Sequence, residues 1–295
     1  MPDGAFVPVR GGTVYRELFG DPGDPLVLLI GGGASALDYW DTELCRRIAG
    51  GGRAVVRYDH RDTGASTTCP PGQPDYDADD MCADALAVID SVGADRAHIA
   101  GLSMGCGIAQ VIALAHPERV ATLTLMSTSP AGPGSDENGL PPVAPRLAAA
   151  FEDPAPEPDW SDRAAVVDHV LADLRLYAGS AGFDDAATRR LVEQVVDRSS
   201  DMAAGGNHYV LDGGFDPRPR LAEIAVPTLV IHGTDDPLFP LGHGEALARE
   251  IRGARLLVLE GVGHEVPPPS TWDVVVPALL AHTAPDEGSP PPVGA

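Results

Sequence analysis

Residues 101–105 read Gly101-Leu102-Ser103-Met104-Gly105, a G-x-S-x-G pentapeptide. An apolar run, Ala97 to Ala100, precedes it, and a helix-like stretch from Met104 to His116 follows. A serine on a sharp strand-to-helix turn holds its hydroxyl clear of the backbone, and small residues on either side permit the turn. The Met104 amide would open the helix, where a free N–H can stabilise a developing oxyanion. Small residues around a serine also build tight turns that do no chemistry. Ser103 is therefore a candidate nucleophile that needs partners elsewhere in the chain.

A serine nucleophile needs a base, and the base needs a group that orients it. Of nine histidines, His264 has the best context. It ends a loop, Glu260-Gly261-Val262-Gly263-His264, that follows the apolar run Arg255–Leu259, and its small residues would let the imidazole reach a cleft. The acid is sought after the preceding apolar run, where Asp235 and Asp236 are adjacent. Asp236 precedes Pro237, which biases it to extended geometry in a turn. Both carboxylates could instead build only an Asx turn.

The elements that must position these residues alternate. Strand-like runs occupy Leu26–Ile30, Arg53–Tyr58, Ala97–Gly101, Val120–Met126, Val226–Ile231 and Arg255–Leu259. Helix-like stretches lie between them at Ala36–Ala49, Asp79–Val92, Met104–His116, Gly244–Ile251 and Trp272–Ala281. This alternation predicts a mostly parallel sheet covered on both faces. Phe6–Val9 and Thr13–Leu18, flanking Gly11-Gly12, predict an antiparallel hairpin at the sheet edge. The alternation breaks over residues 131–215, where only helix-like pieces occur: Pro145–Phe151, Ser161–Tyr177 and Asp185–Ala203. Such an insertion above the strand C-termini predicts a helical cap over the edge where open α/β sheets bind ligands. The expected organisation is a core of residues 1–130 and 216–285, a cap of 131–215, and a disordered tail of 286–295. Within the cap, Trp160, Tyr177, Phe183 and Tyr209 are candidates to face the substrate, because aromatic residues are only 5% of the chain and several gather here.

Composition narrows the partners. The chain has 295 residues and a net charge of −23, which argues against nucleic acid and anionic membrane surfaces. All twenty basic residues are arginine, so no lysine can form a Schiff base or act as a general base. Four cysteines form no C-x-x-C pair, and no Cys/His spacing suggests zinc. Cys106 reads as a small core residue. The expected chemistry thus needs neither metal nor organic cofactor. The first residues show no secretory signal and no run is long enough to span a bilayer, so the cytoplasm is the expected location.

GLSMG followed by HPERV, then VPTLVIHGTDDP and GVGH, resembles the α/β-hydrolase superfamily over about Thr13 to His282. The order Ser103, Asp236, His264 is that of this superfamily. The resemblance implies the α/β-hydrolase fold with a helical cap insertion, and it implies that the acid stands three residues after Gly233, which selects Asp236. It implies oxyanion donors at Met104 and, in the loop after Leu26–Ile30, at Gly32. The chain departs from the family's His-Gly-x pattern by carrying Ile30 in place of the histidine. Tyr58-Asp59-His60-Arg61-Asp62-Thr63-Gly64-Ala65-Ser66, with IGGGASAL at 30–37, is similar to the aclacinomycin methylesterase group. That likeness implies a methyl ester of an anthracycline-type polyketide as substrate. It also implies that the Asp59–Asp62 loop is mostly scaffold, with an arginine paired to a carboxylate.

The expected function is a serine carboxylic ester hydrolase acting on a small-molecule ester. The rivals are a cofactor-free haloperoxidase or perhydrolase, a carbon–carbon bond hydrolase, and a non-catalytic ligand-binding member of the fold.

Overall fold

A computed structural model describes residues 2–130, 139–211 and 217–284. Eight strands form one sheet in the order β1-β2-β4-β3-β5-β6-β7-β8. They are β1 (Asp3–Val9), β2 (Gly12–Phe19), β3 (Leu26–Ile30), β4 (Ala54–Tyr58), β5 (Ala97–Leu102), β6 (Val120–Met126), β7 (Thr228–Gly233) and β8 (Arg255–Leu259). The β1–β2 hairpin sits at the edge and joins β4 antiparallel; every other pairing is parallel.

The parallel strands are continuous apolar runs because both faces are covered. Alternation within β3 shows it: Leu26, Leu28 and Ile30 pack on one side, Val27 and Leu29 on the other. The first side carries α2 (Ala78–Asp90), α3 (Met104–Ala115) and α7 (Gly242–Glu250), through Met81, Val88, Ile108, Ile112 and Leu247. The second carries α1 (Thr42–Ala49) and α8 (Trp272–His282), through Leu44, Ile48, Trp272, Val275 and Leu279. The stretch expected as one helix over Ala36–Ala49 is broken. A 3-10 turn covers Leu37–Tyr39, and α1 begins only after Asp41, whose carboxylate accepts the Glu43 and Leu44 N–H groups.

Between β6 and β7 the described chain is helical: α4 (Pro145–Glu152), α5 (Arg163–Tyr177), α6 (Asp185–Arg198) and a 3-10 stretch at Ala203–Tyr209. Residues 131–138 and 212–216, which hold the expected cap boundaries, lie outside the described residues, as does the expected tail of 286–295. The helical insertion touches the loops that follow four strands. Ala34 and Arg61, after β3 and β4, bond to His208. Asp235, after β7, accepts the Ser180 N–H, and the Gly261 carbonyl, after β8, accepts the Ala181 N–H. These loops share the C-terminal edge of the sheet, and that edge holds the residues singled out above.

Candidate active site

Ser103 stands one residue past β5 and caps α3, with φ 51° and ψ −117°. Its N–H donates to the Met126 carbonyl at 3.0 Å, and its carbonyl accepts the Cys106 N–H at 2.9 Å and the Thr128 hydroxyl at 3.1 Å. These bonds tie the turn to β6 and to the first turn of α3. The two glycines of the pentapeptide are required by close approach. A Cβ on Gly101 would lie 2.6 Å from the Gly105 backbone, and one on Gly105 would lie 2.5 Å from the carbonyl oxygens of Ile30 and Gly31. Cys106 is buried beneath the turn, its thiol near the Gly101 carbonyl at 2.9 Å and pushed up to about 12 by burial. It packs as a core residue.

Asp236 and His264 meet directly. His264 Nδ1 lies 2.9 Å from Asp236 Oδ2, with 9% and 0% of their side chains exposed. The other oxygen, Oδ1, accepts the N–H groups of Leu238 and Phe239 at 3.0 and 2.8 Å. The Asx turn and the histidine contact are thus both made, one by each oxygen. Burial opposes charge on this carboxyl, but attraction to His264, their hydrogen bond and the nearby His232 hold it below the usual carboxylate range. An ionised carboxylate can only accept, so His264 carries its proton on Nδ1 and leaves Nε2 free to take one. Asp235 points elsewhere: its carboxylate accepts the Ser180 N–H at 3.0 Å.

His232 is a residue the sequence motifs did not single out. It lies on β7 and its Nε2–H donates to the Phe239 carbonyl at 2.6 Å, 3.7 Å from Asp236 Oδ2. Burial lowers its proton affinity, although Asp236 opposes this. It supports the turn that carries Asp236. The only signal in sequence is its place at the end of the strand, one residue before Gly233.

The glycines before His264 serve a purpose different from the one expected. A Cβ on Gly263 would lie 2.2 Å from the Tyr177 carbonyl, and one on Gly179 would lie 2.1 Å from the Gly261 carbonyl. Two backbones cross here without room for side chains. The crossing ends with the His264 N–H donating to the Tyr177 carbonyl at 2.8 Å. His264 is held by the helical insertion as well as by its own loop.

On the other side, a Cβ on Gly32 would lie 3.5 Å from the Ser103 Cβ. Gly32 and Ser103 are therefore neighbours. Met104 opens α3, so its N–H lacks an acceptor within the helix. The next residue, Gly33, faces Tyr209: a Cβ there would lie 3.0 Å from its ring.

The charged loop Asp59–Asp62 is built into the fold. Arg61 grips Asp84 with two hydrogen bonds, at 2.6 and 2.8 Å, both side chains 5% exposed. Asp59 is fully buried, accepts the N–H groups of Leu37 and Ala65, and pairs with Arg198 of α6 at 2.8 Å. Arg198 also reaches Asp38 at 2.9 Å. One arginine thereby ties the insertion to two loops of the core.

Of the four aromatic candidates, two are brought to the site. Tyr177 lies 5.8 Å from the His264 ring, centroid to centroid, and Phe239 flanks the same ring at 5.5 Å. Tyr209 covers Gly33 and leaves 72% of its surface exposed. Trp160 instead packs against His169, and Phe183 lies under Arg175. Neither contact includes a residue of the Ser103, Asp236 and His264 group. Among the described residues no group of histidine, cysteine, aspartate and glutamate could hold a metal, and no helix is long and apolar enough to cross a membrane.

A mostly parallel eight-stranded sheet, with a serine on the turn after β5 and a His–Asp pair on the loops after β8 and β7, defines an α/β hydrolase. The chain belongs to the alpha/beta hydrolase fold family, whose family model matches residues 25–268. It is similar to rhodomycin D methylesterase DauP of Streptomyces sp. (strain C5), with 33% identity covering 92% of this chain and 95% of the relative. Rhodomycin D methylesterase DnrP of Streptomyces peucetius is 32% identical over the same shares. Among solved structures, a hydrolase from Pseudomonas aeruginosa PA01 superimposes with a TM-score of 0.68 at 27% identity, covering 95% of this chain and 98% of that one.

Proposed function

We propose that the protein is a serine carboxylic ester hydrolase, a methylesterase for a bulky and largely apolar acid such as an aromatic polyketide. The observation that carries this is the 2.9 Å contact between His264 Nδ1 and Asp236 Oδ2 on the sheet edge where Ser103 stands. Ser103 Oγ attacks the ester carbonyl while His264 Nε2 takes its proton. Asp236 fixes the tautomer and stabilises the imidazolium. The Gly32 and Met104 amides hold the oxyanion. His264 returns the proton to the leaving alkoxide, which departs as the alcohol. Water then attacks the acyl-enzyme by the same route and releases the acid. Apart from the ester and water, these steps use only groups of the chain.

The 33% identity to DauP over 92% of the chain supports a methyl ester as substrate. Tyr177 beside His264 and Tyr209 over Gly33 support an apolar acyl part. Residues 131–215 would form the cap over it, on the core of 1–130 and 216–285. All four cysteines are free, in keeping with a reducing compartment such as the cytoplasm.

Labelling with a fluorophosphonate probe tests the nucleophile. Wild type should react and Ser103→Ala should not, with turnover of p-nitrophenyl acetate lost by about 10^4-fold or more. Labelling that persists in Ser103→Ala would refute the assignment. A panel of methyl esters of planar polycyclic acids, long-chain acyl esters and β-diketones then reads the substrate. A wide preference for long-chain esters or for carbon–carbon cleavage would exclude the methylesterase.

A further inference from the structure

The oxyanion loop is clamped by two histidines that the steps above do not use. His60, 1% exposed, lies with Nε2 3.0 Å from the Gly31 carbonyl oxygen. A carbonyl can only accept, so Nε2 carries the proton. Gly31 C=O and Gly32 N–H belong to one peptide unit, planar and trans, so the two bonds point in opposite directions. Fixing the carbonyl fixes the N–H. The same carbonyl oxygen is confined on another side, because it lies where a Cβ on Gly105 would be 2.5 Å away. A peptide unit held at its oxygen from two sides cannot swivel about its ends.

The His60 ring is itself locked. Tyr58 meets it edge-on at 4.9 Å and His208 at 5.6 Å, with interplanar angles of 71° and 87°. Its backbone carbonyl takes the Thr63 N–H at 3.2 Å and the Thr63 hydroxyl at 2.9 Å. His208, from the 3-10 stretch of the insertion, holds the far end of the loop. Its Nδ1 accepts the Ala34 N–H at 2.9 Å and its Nε2–H donates to the Arg61 carbonyl at 2.8 Å. With one nitrogen accepting and the other donating, His208 is neutral. Burial lowers the His60 value to about 3, so it too is neutral at ordinary pH.

We propose that His60 is a positioning residue for the reaction: its Nε2–H fixes the Gly31–Gly32 peptide unit so that the Gly32 N–H is aimed beside Ser103, with His208 anchoring the other end of the loop. The bond to the carbonyl also polarises the peptide unit and makes its N–H a stronger donor. This rests on the assignment of Ser103 and Gly32 to ester hydrolysis. A histidine that merely filled space would contribute to folding without acting on the transition state in particular.

The test compares His60→Phe, which keeps a ring without the donor, with His60→Gln, which restores a donor on a chain of similar reach. The probes are p-nitrophenyl acetate, an alkylboronic acid that mimics the tetrahedral state, and the product carboxylic acid. Active sites are counted by fluorophosphonate titration. His60→Phe should lower kcat by about 10- to 100-fold, less than outright removal of an oxyanion donor. KM and product affinity should change little, and boronate affinity should fall by the same factor as kcat. His60→Gln should recover part of both. If His60→Phe does not fold, His60→Asn, whose donor is too short to reach Gly31, takes its place. Unchanged kcat per active site, or equal losses for boronate and product, would overturn the proposal. Failure of wild type to label at Ser103 would overturn the hydrolase assignment first, and the positioning role with it.

Discussion

Asp236 Oδ2 lies 2.9 Å from His264 Nδ1, while the second oxygen of the same carboxylate holds the turn that presents it. The neighbouring Asp235 is engaged with Ser180 instead. Asp236→Asn should therefore leave the fold in place and lower kcat by about 10^4-fold, because the amide orients His264 in the wrong tautomer. Asp235→Asn should change kcat little. Steady-state kinetics on both variants checks this, and a worse defect in Asp235→Asn would mean that the loop is read in the wrong register.

The two tyrosines at the site should separate from the other two aromatic candidates. Tyr177→Ala and Tyr209→Ala should each lower kcat/KM for a polycyclic methyl ester by about tenfold or more, the scale of a lost apolar pocket contact. Their effect on p-nitrophenyl acetate should be smaller, since a small acyl group does not reach the two rings. Trp160→Ala and Phe183→Ala should alter kcat/KM for neither ester. Equal losses across all four variants would mean that the acyl group does not lie against these two rings in particular.

Arg198 should prove essential to stability. Its side chain neutralises Asp59, which is fully buried, and Asp38, which is 4% exposed. Removing one partner of such a pair leaves a buried charge unsatisfied. Arg198→Met should cost about 3–5 kcal/mol in urea unfolding. A loss below about 1 kcal/mol, the range of surface pairs, would show the contact to be dispensable.

Five buried histidines, His60, His208, His232, His243 and His282, have lowered proton affinity, in each case chiefly through burial. The unfolded chain binds protons at these positions near the ordinary value of about 6.5, before the folded chain does. Stability is then fully present above that value and falls as pH drops toward the folded values. Each group contributes a slope of up to about 1.4 kcal/mol per pH unit. Urea midpoints should fall steeply from pH 6.5 to 5, and a flat profile would show that these imidazoles are not held neutral.

How much was legible in sequence follows from how local each signal is. The serine turn, the aspartate loop and the His264 loop are short motifs placed beside strong apolar runs, so Ser103 and His264 could be named from the chain alone, while the family resemblance chose Asp236 over Asp235. The Arg61 carboxylate partner was expected as a class but not as Asp84. His208 meets Arg61 across 147 residues, and nothing near it marks that contact. The glycines before His264 were legible as small, yet their cause, a second backbone crossing at Gly179, belongs to the insertion. The α1 start falls later than expected because Asp38, Tyr39, Trp40, Asp41 and Thr42 are weak helix formers, Trp40 turns into the core and Asp41 caps the helix.

The backbone of Ser103, at φ 51° and ψ −117°, occupies a region that glycine enters freely and serine does not. Such a conformation costs about 1–3 kcal/mol. Ser103→Gly would relieve it, against about 0.5–1 kcal/mol lost through the greater freedom of glycine in the unfolded chain. The balance favours a glycine variant that melts higher than wild type and hydrolyses nothing. Thermal unfolding of Ser103→Gly beside Ser103→Ala measures that difference directly. A thermostability screen run without an activity assay would accordingly favour a chain that has given up its reaction.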